Sequence, residues 1–390
     1  MKREHRLPLA KEESTSAARY LPRCAYKSSS ASSGLGMLFL ILGSVATLLG
    51  YGLVRRRNNG RIAFALDWLR LQVEYNAVAV KEIFYDRLQA RYNRTELPLI
   101  PGRIAIVTGG SRGIGAEIVR MLLQCDLEVI IACRRPAAGD KVVEDIRKSG
   151  VLTGKTKVMK LDNSSLGSVR AFVEAFKNNY KKLDILINNA GVMFPPYGET
   201  EDGFEEQYGV NYLSHFLLTV LLIPLLKNAG DSGHPAKIVN VSSCAHLLGD
   251  INFDDINRRK GYFLTGVAYA QSKLAQVLFT KSLARLFEEK KLPIRANAVH
   301  PGIVATDLFD NSYLKYLKPV GRLLFKTPRQ GATPIVYAAV SPAVEHKSGL
   351  YISNCLESTI NPLAADKAVQ DRLFELSLKQ VGLQNAFDTT

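Results

Sequence analysis

The chain contains few cysteines, and no two of them have the spacing of a metal or redox pair. Cys24, Cys125, Cys133, Cys244 and Cys355 are scattered along 390 residues, are odd in number and include no CxxC pair. This pattern argues against a disulfide framework or a cysteine metal site and favours thiols in a reducing compartment. We therefore expect no bound metal.

Acidic residues are scarce relative to basic ones, which raises the question of nucleic-acid binding. The chain has 51 Lys and Arg against 36 Asp and Glu, a net charge of +15. The first 100 residues carry 16 of the basic and only 8 of the acidic residues. Basic residues beside an apolar span indicate membrane topology or anionic lipid. Since no nucleic-acid motif accompanies them, we expect membrane lipid as a partner and no nucleic acid.

The N-terminal region lacks charge over one long run. Residues 1–33 are polar and predict a flexible tail, and residues 34–54 contain 20 uncharged residues from Leu35 to Val54. A helix of that length, about 30 Å, matches the bilayer core. We expect an uncleaved transmembrane anchor. A signal peptide is the competing interpretation, but the polar lead is long and no A-x-A site follows.

Arginines at 55–57 close this run and bear on its orientation. The denser basic cluster follows the span, so we expect a single-pass membrane protein with its C-terminal domain in the cytosol. Glycosylation at the sequon Asn93-Arg94-Thr95 would instead place that domain in the lumen.

Residues 55–100 are predicted to form a basic flank and an amphipathic helix over 62–92. One face carries an apolar stripe of Leu66, Leu69, Val73, Ala77, Val80, Phe84 and Leu88. We expect such a stripe to pack on the main body of the protein or on a partner helix. The alternative is that the helix lies on the bilayer surface, helped by Trp68 and Tyr75. Prolines at 98 and 101 then begin a single main domain over 101–390.

Short apolar runs alternate with amphipathic stretches from residue 103 onward. The predicted strands are 103–108, 127–133, 157–161, 183–188, 237–241, 294–299 and 349–353. Helix-length stretches between them include 114–124, 139–149, 165–178 and 266–290. Seven strands alternating with helices predict an α/β fold with a parallel sheet covered on both faces.

A glycine-rich turn, TGGSRGIG at 108–115, follows the first strand and opens a helix. Gly109 permits a tight turn, Gly113 lets the backbone approach a pyrophosphate, and Gly115 allows close packing of helix and strand. The helix N-terminus offers unpaired N–H groups to the phosphates. We expect a dinucleotide here. The remaining candidate cofactor-binding residues of the turn are Ser111, Arg112 and Ile114.

The second strand ends in Arg134 and Arg135, where an NAD site carries an acidic residue. A guanidinium suits a 2′-phosphate, and Arg112 adds a second cation, so NADP(H) is preferred and NAD(H) is the alternative. Asp162, after the third strand, could accept from the adenine amino group. Asn189, in INNAG at 187–191, could shape the cofactor turn or belong to an ordinary one.

Tyr269 and Lys273, in YAQSK, are four residues apart and project from one helical face. A tyrosine has an ordinary pKa of about 10 and is a poor base near neutrality. The ammonium and the positive nicotinamide should lower that pKa. Tyr269 could then move the hydroxyl proton while hydride moves at carbon.

Three further positions are candidates for the same centre. Ser243 ends the fifth strand and could orient the substrate oxygen, while Ser242 serves the turn. Asn211 could hold a water for the lysine or be an ordinary helix asparagine. Thr306 could bond the nicotinamide amide, and His300 is interpreted as structural or cofactor-adjacent.

These motifs, over residues 103 to roughly 355, resemble the short-chain dehydrogenase/reductase family, in its membrane-associated branch that includes retinol dehydrogenases. The resemblance implies a doubly wound Rossmann fold. It also implies a catalytic tetrad of Asn211, Ser243, Tyr269 and Lys273. The implied substrate is a lipophilic alcohol or aldehyde, a polyisoprenoid first and a retinoid as the rival.

Two other expectations complete the sequence analysis. Residues 303–326 fall where that family carries a substrate lid, although ordinary helix packing explains their apolar residues equally well. A nucleotide-sensing interaction protein with little turnover is the alternative to an enzyme, and the intact tetrad weighs against it. The sequence is compatible with a homo-oligomer.

Overall fold

The computed structural model describes residues 60–306 and 324–387. The predicted tail over 1–33, the anchor over 34–54 and residues 307–323 of the predicted lid lie outside the described residues.

One sheet organises the protein. Its strands are β1 (Ile104–Thr108), β2 (Glu128–Cys133), β3 (Lys155–Lys160), β4 (Ile185–Asn188), β5 (Ala236–Val241), β6 (Ile294–His300), β7 (Tyr351–Ser353) and β8 (Leu356–Glu357). They lie in the order β3-β2-β1-β4-β5-β6-β7-β8, and every pair is parallel except β7 with β8. The order reverses between β1 and β4, so a crevice opens at the carboxyl ends of these strands, where ligands bind in such sheets.

Helices cover both faces of the sheet. They are α1 (Gly60–Leu88), α2 (Gly113–Gln124), α3 (Pro136–Lys148), α4 (Leu166–Asn179), α5 (Glu206–Ala229), α6 (Thr265–Glu289), α7 (Pro328–Val340) and α8 (Lys367–Gln380). Two separate clusters of buried apolar side chains fill the spaces on the two sides. The strands read as continuous apolar runs because both of their faces are buried. The predicted doubly wound Rossmann architecture is therefore confirmed.

The number of strands differs from the prediction. Seven parallel strands were expected, and the structure adds β8, a two-residue strand antiparallel to β7. Asn354 and Cys355 form the turn between them, both with positive φ, at 52° and 61°. Such a hairpin turn normally contains Asn-Gly, and a cysteine in the second position carries no turn signal. Two residues are also too few to show strand periodicity.

Helix α1 is present as predicted, but it docks through a different face. Leu71 and Asp86 are buried, and Tyr75 donates a hydrogen bond to the Gly266 carbonyl at 2.7 Å. Two members of the predicted stripe, Phe84 and Leu88, are each 62% exposed. The interpretation that the stripe packs on the catalytic body is therefore wrong. The face that docks contains both apolar and acidic residues, whereas a search for apolar periodicity finds the opposite face of the helix.

Among the described residues, α5 alone is long and apolar enough to span a bilayer. It is not the predicted anchor, and 94% of its most apolar stretch is buried inside the protein. Burial of this extent identifies α5 as a core helix, hydrophobic on all sides because it is surrounded.

Candidate active site

The glycine turn forms a tight junction between β1 and α2. Gly109 has a φ of +67°, and a Cβ there would lie 3.0 Å from the Ala190 Cα. A Cβ on Gly115 would lie 2.2 Å from the Gly109 carbonyl oxygen and 2.9 Å from the Asn189 side-chain nitrogen. Any side chain at Gly115 would therefore push the helix away from the turn. This cradle fits the close approach of a phosphate group to backbone and to a helix N-terminus.

Thr108 and Asn189 hold the cradle together. The Thr108 Oγ1 accepts hydrogen bonds from the backbone N–H groups of Asn189 and Ala190, each at 2.9 Å. The Asn189 side-chain amide donates to the Thr108 carbonyl, also at 2.9 Å. The structure thus places Asn189 at the cradle with its amide hydrogen-bonded to β1. Its observed contacts shape the turn.

A cavity of about 540 Å³ runs along the carboxyl ends of the strands. Its lining includes the sequence-predicted residues Gly109, Ser111, Arg112, Gly113, Ile114, Gly115, Arg134, Asp162, Asn189, Ser243, Tyr269, Lys273 and Thr306. Asn211 is the one predicted site residue that lies outside the lining. The glycine turn and the tyrosine–lysine pair, about 160 positions apart in sequence, therefore share one cavity.

One end of this cavity is strongly basic. Arg112, Arg134 and Arg135 line it, and all three are exposed. Within the described part of the chain, none of their guanidinium groups forms a hydrogen bond or an ion pair. Their charges are therefore available to an anionic ligand.

Asp162 and Thr306 border the cavity at other points. One carboxylate oxygen of Asp162 accepts from the Ser164 N–H at 3.0 Å and from the Ser164 hydroxyl at 2.7 Å. These bonds fix the carboxylate of a residue that lines the cavity. Thr306 lies opposite the glycine turn, because a Cβ on Gly113 would be 3.5 Å from the Thr306 Cγ2.

Tyr269 and Lys273 lie on α6 and are each 5% exposed. The Lys273 Nζ lies 5.7 Å from the centroid of the Tyr269 ring and donates to the Val241 carbonyl at 2.9 Å. Burial raises the pKa of Tyr269 above its ordinary value, and a hydrogen bond with Ser243 opposes part of that shift. Burial also lowers the pKa of Lys273 to about 8.

The direction of the tyrosine shift differs from the expectation that its neighbours lower the pKa. The ammonium is bonded to Val241, so it stabilises the phenolate only weakly, and desolvation of the phenolate has the larger effect. The positive charge of an oxidised nicotinamide would add to the effect of the ammonium.

Ser243 and Ser242 have different surroundings at the end of β5. The Ser243 hydroxyl accepts from the Ala245 N–H at 3.2 Å and lies in the cavity lining. The Ser242 hydroxyl is buried and donates to the Lys273 carbonyl at 2.8 Å. Ser242 therefore fastens α6 to β5, while Ser243 is the hydroxyl beside Tyr269.

Asn211 lies in a π-helical turn, Gly209–Leu213, inside α5. Its Oδ1 accepts from the Val192 N–H at 2.8 Å, and its Nδ2 donates to the Val192 carbonyl and the Ser272 hydroxyl, each at 3.0 Å. These bonds hold the loop after β4 against α6. A π turn inside a helix often marks a functional site. The water-holding role of Asn211 remains a prediction.

His300 is a buried residue of the cavity wall, and its Nδ1 accepts from the Cys244 N–H at 3.3 Å. Burial lowers its pKa to about 3, so the ring is neutral near neutral pH. These contacts agree with a structural position for His300.

The sequence motifs did not identify the residues of α1 that reach the cavity. Tyr75, Val78 and Ala79 line it, together with Met193 and Phe194 from the loop after β4. The only signal in the sequence is that Tyr75, Val78 and Ala79 lie 4, 7 and 8 residues after Leu71 and therefore share one face of α1 with it.

A twisted parallel sheet with a glycine cradle at its topological switch point defines a nucleotide-binding protein of the Rossmann class. Residues 103–316 match the family model described as short chain dehydrogenase. The chain belongs to the short-chain dehydrogenase/reductase family, whose members are nicotinamide-dependent oxidoreductases.

Two curated relatives match most of this chain. The chain is 40% identical over 322 residues to polyprenol dehydrogenase of Danio rerio, covering 82% of this chain and 98% of the relative. It is 42% identical over 288 residues to retinol dehydrogenase 12 of Mus musculus, covering 73% of this chain and 88% of the relative.

Among solved structures, an uncharacterised protein from Mycobacterium paratuberculosis aligns with a TM-score of 0.61 and 32% identity, over 74% of this chain and 96% of that one. An NADP complex of RhlG from Pseudomonas aeruginosa aligns with a TM-score of 0.50 and 26% identity, over 67% and 96%.

Proposed function

We propose that the protein is an NADP(H)-dependent oxidoreductase that interconverts a lipophilic alcohol and its aldehyde or ketone. The observation that carries this proposal is the buried Tyr269 beside Ser243 and Lys273, in the same cavity as the glycine cradle. The dinucleotide supplies or accepts the hydride at the substrate carbon. The chain's own residues then have to bind the substrate oxygen and move one proton.

In the reducing direction, the Ser243 hydroxyl donates to the carbonyl oxygen, and the Tyr269 phenol gives that oxygen its proton as the carbon gains hydride. The alcohol forms, and the phenolate regains a proton from solvent. A phenol whose pKa is raised by burial is protonated at neutral pH, so it begins this reaction in the form that a general acid requires. In the oxidising direction the Tyr269 phenol must first lose its proton. The Lys273 ammonium and an oxidised nicotinamide would then be needed to stabilise the phenolate.

The preference for NADP(H) rests on the basic end of the cavity. Arg112 and Arg134 present guanidinium groups without protein partners among the described residues, and a 2′-phosphate would form charge-assisted hydrogen bonds with them. A bare ribose 2′-hydroxyl would gain much less from two cations. NAD(H) is the weaker alternative.

The proposed substrate class is a polyisoprenoid alcohol or aldehyde, with a retinoid as the rival. The names of the two relatives carry these substrates, and the region next to Tyr269 supports them because it is apolar and aromatic. Met193, Phe194 and Ile303 line it with the residues of α1. A membrane anchor beside such a cavity would suit a substrate that partitions into lipid.

The proposed location is the endoplasmic reticulum membrane, with one span over 34–54 and the catalytic domain, 101–390, in the cytosol. The uncharged run and the arginines at 55–57 support it. The exposed Phe84 and Leu88 on the outer face of α1 are compatible with a nearby bilayer.

The test uses the purified full chain in detergent with two coenzymes and three aldehydes: a long-chain isoprenoid aldehyde, retinal and a linear alkanal. We expect NADPH oxidation that is fastest with the isoprenoid aldehyde and slower with NADH. Faster reduction of retinal would select the retinoid alternative. No oxidation of either coenzyme with any of the three would contradict the proposed activity.

A further inference from the structure

Helix α1 forms part of the cavity wall although it precedes the region that matches the family model. The match begins at residue 103, whereas α1 ends at Leu88. Tyr75, Val78 and Ala79, spaced along one face of α1, line the same cavity as Tyr269. A segment that served only to connect the N-terminal region to the catalytic domain would not need to line this cavity.

A row of three aromatic rings runs from Tyr75 on α1 through Phe194 to Tyr269, the proposed proton donor. The Tyr75 and Phe194 rings are 5.5 Å apart and edge-to-face, and the Phe194 and Tyr269 rings are 5.3 Å apart in the same arrangement. Both distances are in the favourable range for aromatic pairs. The Tyr75 hydroxyl is bonded to the Gly266 carbonyl, so its ring is held in place. Substrate beside Tyr269 would therefore meet a fixed aromatic surface.

Phe194, the middle ring, has a strained backbone. Its φ is +57°, in the left-handed region that bulky residues seldom adopt. Its N–H donates to the Oε1 of buried Gln207 at 2.9 Å, which holds this conformation. Strain of this kind persists where surrounding structure imposes it and is concentrated at functional sites. The conformation turns the ring toward Tyr269 and Tyr75.

Asp86 of α1 fastens the helix to the turn after β6. The buried Asp86 carboxylate lies 3.0 Å from the Lys326 Nζ and accepts from the Ile303 N–H at 3.1 Å. Asn354 donates to it at 3.0 Å. One turn earlier, a Glu82 carboxylate oxygen lies 3.6 Å from the His300 Nε2. Because Ile303 also lines the cavity, the contacts of Asp86 position α1 relative to the reaction centre.

From this arrangement we infer that the inner face of α1 is a wall of the substrate site and that Tyr75 determines which lipophilic substrates fit beside Tyr269. The inference rests on the proposed function. The Tyr75 ring limits the width of the cavity and gives an apolar surface to a slender chain. Removing the ring widens the site, which favours ring-bearing substrates over linear ones.

The test compares Tyr75→Ala with Tyr75→Phe and with Phe84→Ala on the exposed face of the same helix, all in the full chain. For each protein, kcat and KM are measured with retinal and with a linear alkanal. We expect Tyr75→Ala to raise the retinal-to-alkanal ratio of kcat/KM by about tenfold, the scale of pocket-size effects. The change should lie in KM, with NADPH affinity unaltered. Tyr75→Phe and Phe84→Ala should keep the ratio within about twofold.

A binding measurement separates this inference from the proposed activity. Trp68, the single tryptophan of the chain, lies on α1, so energy transfer from it reports bound retinol without turnover. Displacement of retinol by a linear alkanol gives the second affinity. If the protein turns over no aldehyde but Tyr75→Ala changes the affinity ratio as expected, the proposed activity is refuted. The role of α1 as a wall of the substrate site is then supported. An unchanged ratio with a lowered Tm would make Tyr75 merely structural and overturn the inference.

Discussion

The ammonium of Lys273 lies 5.7 Å from the centre of the Tyr269 ring but donates its hydrogen bond to the Val241 carbonyl, 2.9 Å away. Both side chains are buried, and burial disfavours the charged form of each. It therefore lowers the pKa of Lys273 to about 8 and raises that of Tyr269. Burial therefore extends the pH range in which both side chains are uncharged. As a result, the free energy of unfolding depends on pH.

The free energy of unfolding should depend on pH through Lys273. The unfolded chain holds this proton up to the ordinary lysine pKa of about 10.4, whereas the folded chain releases it near pH 8. Between these values the unfolded state binds more protons, so stability rises with pH. Unfolding by urea from pH 7 to 10, without dinucleotide, should show wild type gaining stability relative to Lys273→Met above about pH 8. A constant difference between the two proteins would refute the shifted pKa.

Replacing Arg134 should change the coenzyme preference. The Arg134→Asp variant places a carboxylate where a 2′-phosphate would bind, and hydrogen bonds to charged groups contribute about 1.5–3 kcal/mol. We expect the Kd for NADPH to rise at least about tenfold, with a smaller change for NADH. Lys148→Asp is the control, since this exposed lysine of α3 does not line the cavity. If the ratio of the two Kd values is the same in both variants, the assignment of Arg134 is wrong.

A methyl group at Gly115 should disrupt the cradle. Its Cβ would lie 2.2 Å from the Gly109 carbonyl oxygen, so the helix must shift, at a cost of about 1–3 kcal/mol in unfolding free energy. Gly115→Ala should also abolish measurable binding of NADPH. At Gly167 in α4 the nearest atom to a Cβ is 3.6 Å away, which makes Gly167→Ala a matched control. Normal coenzyme affinity in Gly115→Ala would show that the cradle does not hold the phosphates.

The buried ion pair between Asp86 and Lys326 should matter for stability. Asp86→Ala leaves the Lys326 ammonium buried without its carboxylate, a change that costs about 3–5 kcal/mol. Glu74→Ala, which removes an exposed partner of Arg70 on the same helix, should cost at most about 1 kcal/mol. Chemical unfolding measures both. Equal effects of the two substitutions would indicate that α1 is not fastened through Asp86.

The sequence predicted the sheet well because its strands are buried on both faces. The strand predicted at 103–108 is observed at Ile104–Thr108, and the one at 127–133 is observed at Glu128–Cys133. Continuous apolar runs bounded by turn residues leave few alternatives. The site was also readable, since the end of each parallel strand brings its motif to the same edge. The glycine turn after β1 and Ser243 after β5 meet there for this reason, and Tyr269, near the start of α6, lines the same cavity.

Features that depend on tertiary contacts could not be predicted from the sequence in the same way. The docking face of α1 includes Glu82 and Asp86, whose burial depends on His300 and Lys326 far along the chain. Apolar periodicity therefore indicated the opposite face. The direction of the Tyr269 shift likewise depends on how deeply the phenol is buried and on where the neighbouring ammonium donates, and spacing within the helix specifies neither.

The central claim is that the Tyr269 hydroxyl moves the proton that accompanies hydride transfer. Its most direct measurement is the single-turnover rate of NADPH oxidation by wild type and by Tyr269→Phe, with an aldehyde that wild type reduces and with NADPH affinity determined separately. We predict a rate lower by about 10²–10⁴-fold in the variant, the contribution of a positioned general acid, with NADPH affinity unchanged. Equal rates in the two proteins would contradict the mechanism.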